Sequence, residues 1–149
     1  MIADASIVKM LEESLETGCL FSYRNIVTNE TDFDSIYKLL AAYWGAVTRV
    51  FPDAWGKPPD KSRLMHGAGI RSMERLMDRI MADISIGDKN DSAKAEAELR
   101  KIAETYRWTK GRWEQMDNIK WNDITHTPRH VNLLSNVLVR AYVKAKRGN

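Results

Sequence analysis

Cysteine, proline and long apolar runs are all scarce in this chain of 149 residues. The single cysteine, Cys19, cannot form a disulfide within the chain, which excludes a disulfide-stapled secreted scaffold and fits a reducing compartment. The longest uncharged stretch considered as a membrane span runs only from Leu39 to Val47, whereas crossing a bilayer takes about 20 residues. With Asp4 early in the chain, the N-terminus also lacks the basic start of a secretion signal. We therefore expect a cytoplasmic protein with no membrane contact.

The composition is that of a folded globule, with 44% hydrophobic and 29% charged residues. A chain of this length fits one domain, so we expect a single domain over residues 1–149. The net charge is a modest +3, but the charge is unevenly distributed. The stretch up to Glu16 is acidic, whereas Arg140, Lys144, Lys146 and Arg147 lie in a final stretch without any acid. An acidic partner is therefore compatible with the sequence but not required by it.

Apolar residues recur at helical spacing along most of the chain, which predicts an all-α bundle of about five or six helices. In the first helix Ile7, Val8, Leu11 and Leu15 share a face, and Gly18 marks its end. The predicted helices are Ala5 to Leu15, one that follows the capping run Asn29 to Asp34 and ends near Val50, Ile70 to about Ser85, Asp91 or Ser92 to about Tyr106, and Thr127 to Tyr142.

Three segments do not follow a helical pattern. Prolines and Gly56 predict a long loop over residues 51–61. Residues 107–126 form a second irregular segment, with short helical turns expected around Trp113 and Trp121. Leu20 to Val27 reads as a short extended piece without an obvious strand partner.

Metal and cofactor sites are not indicated by the pattern of ligand residues. His126 and His130 are four apart, a spacing that on a helix presents two imidazoles to one ion. However, Pro128 is expected at the first helical position, which leaves His126 outside the helix. His66 stands alone and is expected to be a loop or core histidine. We expect no metal and no cofactor.

Acid–base catalysis is not indicated either. Glu74 and Asp78 are four apart, but they lie among lysines and arginines on a helix face, where solvated ion pairs are the ordinary outcome. The Gly67-Ala68-Gly69 sequence has no preceding strand and no following Gly-Lys-Ser, so a phosphate loop is not expected. We therefore expect no catalytic residue.

Basic residues suggest a nucleic-acid-binding surface. Two rows lie at helical spacing on the third and last helices, and a further set alternates with aromatics after Tyr106, as on surfaces that stack bases. Neutralisation by Glu74 and Asp78, attraction to the helix dipole, and packing of the tryptophans are the structural alternatives. The candidate residues are Arg71, Arg75, Arg79, Arg107, Lys110, Arg112, Arg140, Lys144 and Arg147.

Several motifs resemble a known protein family. The run Tyr43-Trp44-Gly45-Ala46-Val47 continues into Val50-Phe51-Pro52-Asp53-Ala54-Trp55, and Leu64 to Ile70 follows. Together they resemble the helical C-terminal part of the DGQHR-domain family, which includes DndB-like proteins associated with DNA phosphorothioation. The first helix, the two later tryptophans and the last helix stand in the same order.

The resemblance implies a bacterial or phage-borne protein linked to DNA modification, defence or its transcriptional control. The Asp-Gly-Gln-His-Arg motif and the N-terminal α/β portion are absent here, so the resemblance assigns no functional residue. We expect the chain to be equivalent to the C-terminal half of a DGQHR-type protein. Its expected role is a non-enzymatic module that docks on a DGQHR-type domain, on a partner protein or on a second copy. The alternatives are a free-standing DNA-binding transcriptional regulator, and part of an enzyme whose active site lies on a missing domain or partner.

Overall fold

The computed structural model describes residues 4–25, 27–28 and 30–148. The described residues form five α-helices and two pairs of antiparallel two-residue strands. The helices are α1 (Asp4–Thr17), α2 (Phe33–Val50), α3 (Gly67–Ile80), α4 (Asp91–Arg100) and α5 (Pro128–Lys146). The strands are β1 (Arg24–Asn25) with β2 (Glu30–Thr31), and β3 (Arg112–Trp113) with β4 (Ile119–Lys120). The fold is mostly helical, and the strand pairs correct the all-α prediction.

Three helices begin at side chains that cap their free backbone N–H groups. Asp32 accepts a hydrogen bond of 3.1 Å from the backbone N–H of Ser35 and starts α2. Thr127 accepts one of 3.3 Å from His130 N–H and starts α5, with Pro128 at the first helical position as predicted. His66 starts α3, because its Nδ1 accepts the N–H of Ala68 at 3.2 Å.

Helix α3 lies at the centre of the fold, packed between α1 and α5, while α2 packs against α4. Its side chains Met73, Leu76 and Met77 are completely buried. The buried Tyr43 of α2 donates its hydroxyl to the Met73 carbonyl at 2.6 Å, which ties α2 to the same core. Truncating one such core side chain to alanine typically costs about 2–5 kcal/mol.

Gly69 allows α3 to begin earlier than the predicted Ile70. A Cβ at this position would lie 1.9 Å from the carbonyl oxygen of Arg63, so only glycine fits beside the preceding turn. Gly67 and Gly69, which precede the predicted start of this helix, are thus part of it, because close packing requires the absence of a side chain at residue 69.

Arg63 joins two of the segments that lack a helical pattern, residues 51–61 and residues 107–126. Its guanidinium donates to the carbonyls of Pro59 at 2.6 Å, Asn122 at 2.6 Å and Ile124 at 3.0 Å. Its backbone N–H donates to the Trp108 carbonyl at 2.8 Å. Trp108 and Trp113 are buried beneath these segments, which confirms packing as their structural role.

The N-terminal quarter differs from the prediction in two respects. Residues Cys19–Tyr23 form a 3-10 helix, and the extended piece that follows has a strand partner, β2. Val8, expected on the buried face of α1, is 51% exposed. The side chain of Ile7 and all of Asn29, both used in the predictions, lie outside the described residues.

Helix α4 and the segment that follows it also differ from the prediction. The helix ends at Arg100 and continues as turns over residues 101–105, instead of running to about Tyr106. Short 3-10 helices do lie beside the two tryptophans, over Glu114–Met116 and Trp121–Asp123. The β3–β4 hairpin was not predicted, and the first of these 3-10 helices lies within its loop. Asp117 and Asn118, which follow in that loop, have left-handed φ values of 56° and 58°.

Candidate nucleic-acid interface

A groove between the ends of α3 and α5 is lined by basic and aliphatic side chains alone. It has a volume of about 400 Å³, and within the described part of the chain no carboxylate lines it. We call it the basic groove. Its lining residues are Arg79, Val139, Arg140, Val143, Lys144 and Arg147.

Helical spacing places these cations together. Arg140, Lys144 and Arg147 lie on one face of α5, and the packing of α3 against α5 brings Arg79 beside them. All four side chains are exposed. Among residues 4–25, 27–28 and 30–148, none of these four side chains forms an ion pair or a hydrogen bond, whereas the side chain of the neighbouring Lys146 pairs with Asp83 at 2.6 Å. The groove therefore presents positive charge that its surroundings do not neutralise.

A larger groove between α5 and the end of α4 continues from the basic groove. Its volume is about 910 Å³, and it shares Arg140 and Lys144 with the basic groove. Arg100 and Lys101 add further cations, although Arg100 pairs with Glu96 at 3.2 Å and Lys101 pairs with Glu98 at 2.5 Å. The carboxylate of Glu104 also lines this groove. We call this the central groove.

A third depression, of about 500 Å³, lies between residues 50–54 and residues 106–111. It shares Arg100 and Ala103 with the central groove, so the three depressions follow one another across the surface. Phe51 and Tyr106 form part of its wall, and Lys110 adds a cation that forms no ion pair among the described residues. We call it the aromatic pocket, and the three depressions together the basic track.

The structure divides the predicted basic residues between this track and other sites. Arg71 and Arg75 form ion pairs with Glu13 of α1, and Arg75 also donates to Asn132 Oδ1 at 2.7 Å. Arg112 donates to the Asn118 carbonyl at 3.1 Å in the β3–β4 hairpin. The predicted residues that line the track are Arg79, Arg107, Lys110, Arg140, Lys144 and Arg147.

Arg100 and Lys101 line the track but were not candidates in the sequence. They stand in a strongly charged helix, where cations alternate with glutamates and no face is purely basic. Only the packing of the chain after α4 against α5 places them beside Arg140. No signal in the sequence marks that contact.

The carboxylates Glu74 and Asp78 are not a solvated pair, which corrects the sequence interpretation. Glu74 has no exposed surface, and burial followed by the nearby Asp78 raises its pKa to about 10. Asp78 accepts hydrogen bonds from Ser14 Oγ at 2.8 Å and from the Cys19 backbone N–H at 3.0 Å. With this raised pKa, Glu74 is neutral at neutral pH, and Asp78 links α3 to α1 through Ser14.

His66 and His126 lie next to each other, whereas His130 has other partners. His66 caps α3, and its burial, with the nearby Arg63, lowers its pKa to about 4. His126 lies edge-on to His66 with ring centres 6.1 Å apart. His130 Nδ1 accepts the backbone N–H of Thr125 at 2.8 Å. In the described ranges no three His, Cys, Asp or Glu side chains are grouped as metal ligands would be.

Large apolar side chains are exposed only near the N-terminal end of the described residues. Phe33 and Tyr37 lie one turn apart on α2 and are 76% and 72% exposed, and Phe21 and Val27 are also exposed. The pair Phe33 and Tyr37 exposes aromatic carbon of the kind that protein interfaces use.

Comparisons with protein-family models, with curated proteins and with solved structures found no match. The resemblance to the DGQHR-domain family therefore stays a prediction. No helix within the described residues is both long enough and apolar enough to cross a membrane.

Proposed function

We propose that this chain is a non-enzymatic DNA-binding module that holds the sugar-phosphate backbone along the basic track. The observation that carries the proposal is the basic groove, where four cations from two helices meet without a carboxylate. Each phosphate that replaces a condensed counterion with a protein cation releases that counterion, which favours binding.

The composition of the groove favours contact with the backbone over reading of the bases. Arg140 and Arg147 are about 10 Å apart along α5, a span that covers successive phosphates. Between the cations the groove offers Val139 and Val143, which carry no hydrogen-bonding group for a base edge. We therefore expect binding with little dependence on DNA sequence, as in an architectural or regulatory module.

Fluorescence anisotropy with a labelled duplex of arbitrary sequence tests the proposal. Four phosphate contacts predict that log Kd rises with log salt with a slope of about 3.6, so affinity falls by about 150-fold between about 50 and 200 mM salt. A chain that shows no binding at about 50 mM salt would reject the proposal.

Docking on a DGQHR-type domain is a second proposed function, and the exposed pair Phe33 and Tyr37 favours it. The resemblance supplies the partner: a DGQHR-type domain of a system linked to DNA modification or defence. Isothermal titration with such a purified domain should show binding that a Phe33→Ser/Tyr37→Ser variant loses. Equal binding by the variant would count against this surface, and self-association abolished by the same variant would indicate a homodimer instead.

A further inference from the structure

We propose that the aromatic pocket holds one unpaired nucleotide of the DNA whose backbone lies on the basic track. This inference rests on the proposed DNA binding and adds to it the recognition of an unstacked base.

The aromatic wall of the pocket is fixed in place before any ligand arrives. The partly exposed Phe51 packs edge-on against Tyr106, with ring centres 4.4 Å apart and planes at 81°. Tyr106 in turn stacks on the buried Trp108 at 6.0 Å. A wall held by such contacts loses little side-chain freedom on binding, so a base that packs on it keeps most of its stacking energy.

The pocket is lined by the cations Arg100, Arg107 and Lys110, and it also has polar groups that suit a base and not a phosphate. Asp53 is an exposed carboxylate in the lining, where it repels phosphate but accepts a hydrogen bond from an exocyclic amino group. Thr109 adds a hydroxyl, and Lys110 adds a cation beside them. The basic groove, at the other end of the track, has neither aromatic nor acidic lining. Its lining suits the DNA backbone, whereas that of the aromatic pocket suits a base.

The position of the pocket requires the base to leave the helical stack. Arg100 and Ala103 belong to both the pocket and the central groove, so a backbone on the track passes the mouth of the pocket. A paired base inside a duplex has its faces covered by its neighbours and cannot enter. A bulged, flipped or single-stranded nucleotide has a free face and fits a volume of about 500 Å³.

Three labelled probes test the inference with the wild-type chain: an intact duplex, the same duplex with a one-nucleotide bulge, and that bulge without its base. The bulge with its base should bind about tenfold more tightly than the abasic bulge, because only it stacks in the pocket. Equal affinity for all three probes overturns the pocket and leaves the proposed DNA binding intact. Absence of binding to all three overturns both.

A matched pair of variants tests whether the preference for the bulge depends on the aromatic pocket. Phe51→Leu removes the ring while keeping apolar volume, and should abolish the preference for the bulge over the abasic bulge. Phe33→Leu removes an equivalent ring on α2, away from the track, and should keep the preference. If Phe51→Leu also keeps the preference, the inference is wrong.

Photocrosslinking supplies a test that does not depend on a variant folding. A bulge that carries 5-iodouracil should crosslink to Phe51 or Tyr106 of the wild-type chain, as read by peptide mass spectrometry. Crosslinks confined to peptides outside the aromatic pocket would overturn the inference.

Discussion

Replacing Arg140 and Lys144 together with alanine should weaken duplex binding and flatten its dependence on salt. These two side chains belong to both the basic groove and the central groove, so their removal halves the set of four cations in the first and disrupts the second. Loss of two phosphate contacts lowers the slope of log Kd against log salt from about 3.6 to about 1.8. At about 0.1 M salt each lost contact costs about eightfold, so the double variant should bind about 60-fold more weakly.

The assay is fluorescence anisotropy with one duplex at four salt concentrations, alongside circular dichroism to confirm folding. Both side chains are exposed and form no ion pair among the described residues, so alanine should leave the fold intact. Lys57→Ala/Lys89→Ala is the matched control, since it makes the same change in net charge at exposed positions that line none of the three depressions of the basic track. If both double variants lowered affinity and slope equally, the net charge and not the basic groove would explain binding.

Four further substitutions or reactions test the fold. Gly69→Ala should lower the free energy of unfolding by about 3 kcal/mol in urea titrations, because its Cβ would overlap the carbonyl of Arg63. Gly45→Ala should raise it by about 0.5–1 kcal/mol, since the nearest atom to the new Cβ is 3.5 Å away. The free energy of unfolding of the wild-type chain should fall as the pH rises above about 5, by up to about 1.4 kcal/mol per pH unit, because the folded state holds a proton on Glu74 that the unfolded state releases. Glu74→Gln should flatten this slope. Burial and Asp78 raise the pKa of Cys19, so iodoacetamide at about pH 8 should alkylate it at least about tenfold more slowly in the folded chain than in urea.

The helices could be predicted from the sequence wherever apolar residues recur at helical spacing on one face. The Asp32 cap of α2 and the Thr127-Pro128 start of α5 are local signals, and both lie where the sequence places them. Strands of two residues, such as β1 and β2, are too short to show alternation. The end of α4 at Arg100 has no local stop signal either, and depends on how the following turns pack.

The candidate surface was only partly predictable for the same reason. Arg140, Lys144 and Arg147 share a face by helical geometry, which the sequence shows directly. Arg71 occupies an equally regular row, yet its charge is taken up by Glu13, which is distant in sequence and is brought near by the packing of α1 on α3. Likewise the burial of Glu74 follows from that packing and has no signature in the residues around it.

Titration of the nitrogen-15-labelled chain with a short intact duplex, followed by NMR, is the most direct test of where DNA binds. The side-chain Nε–H signals of Arg79, Arg140 and Arg147, and the backbone amides of the adjoining part of α5, should shift at about 50 mM salt and return towards their free positions as salt is added. The backbone amide signals of Phe33 and Tyr37 should not shift. Shifts centred on that α2 surface, or the absence of any shift at low salt, would contradict DNA binding on the basic track.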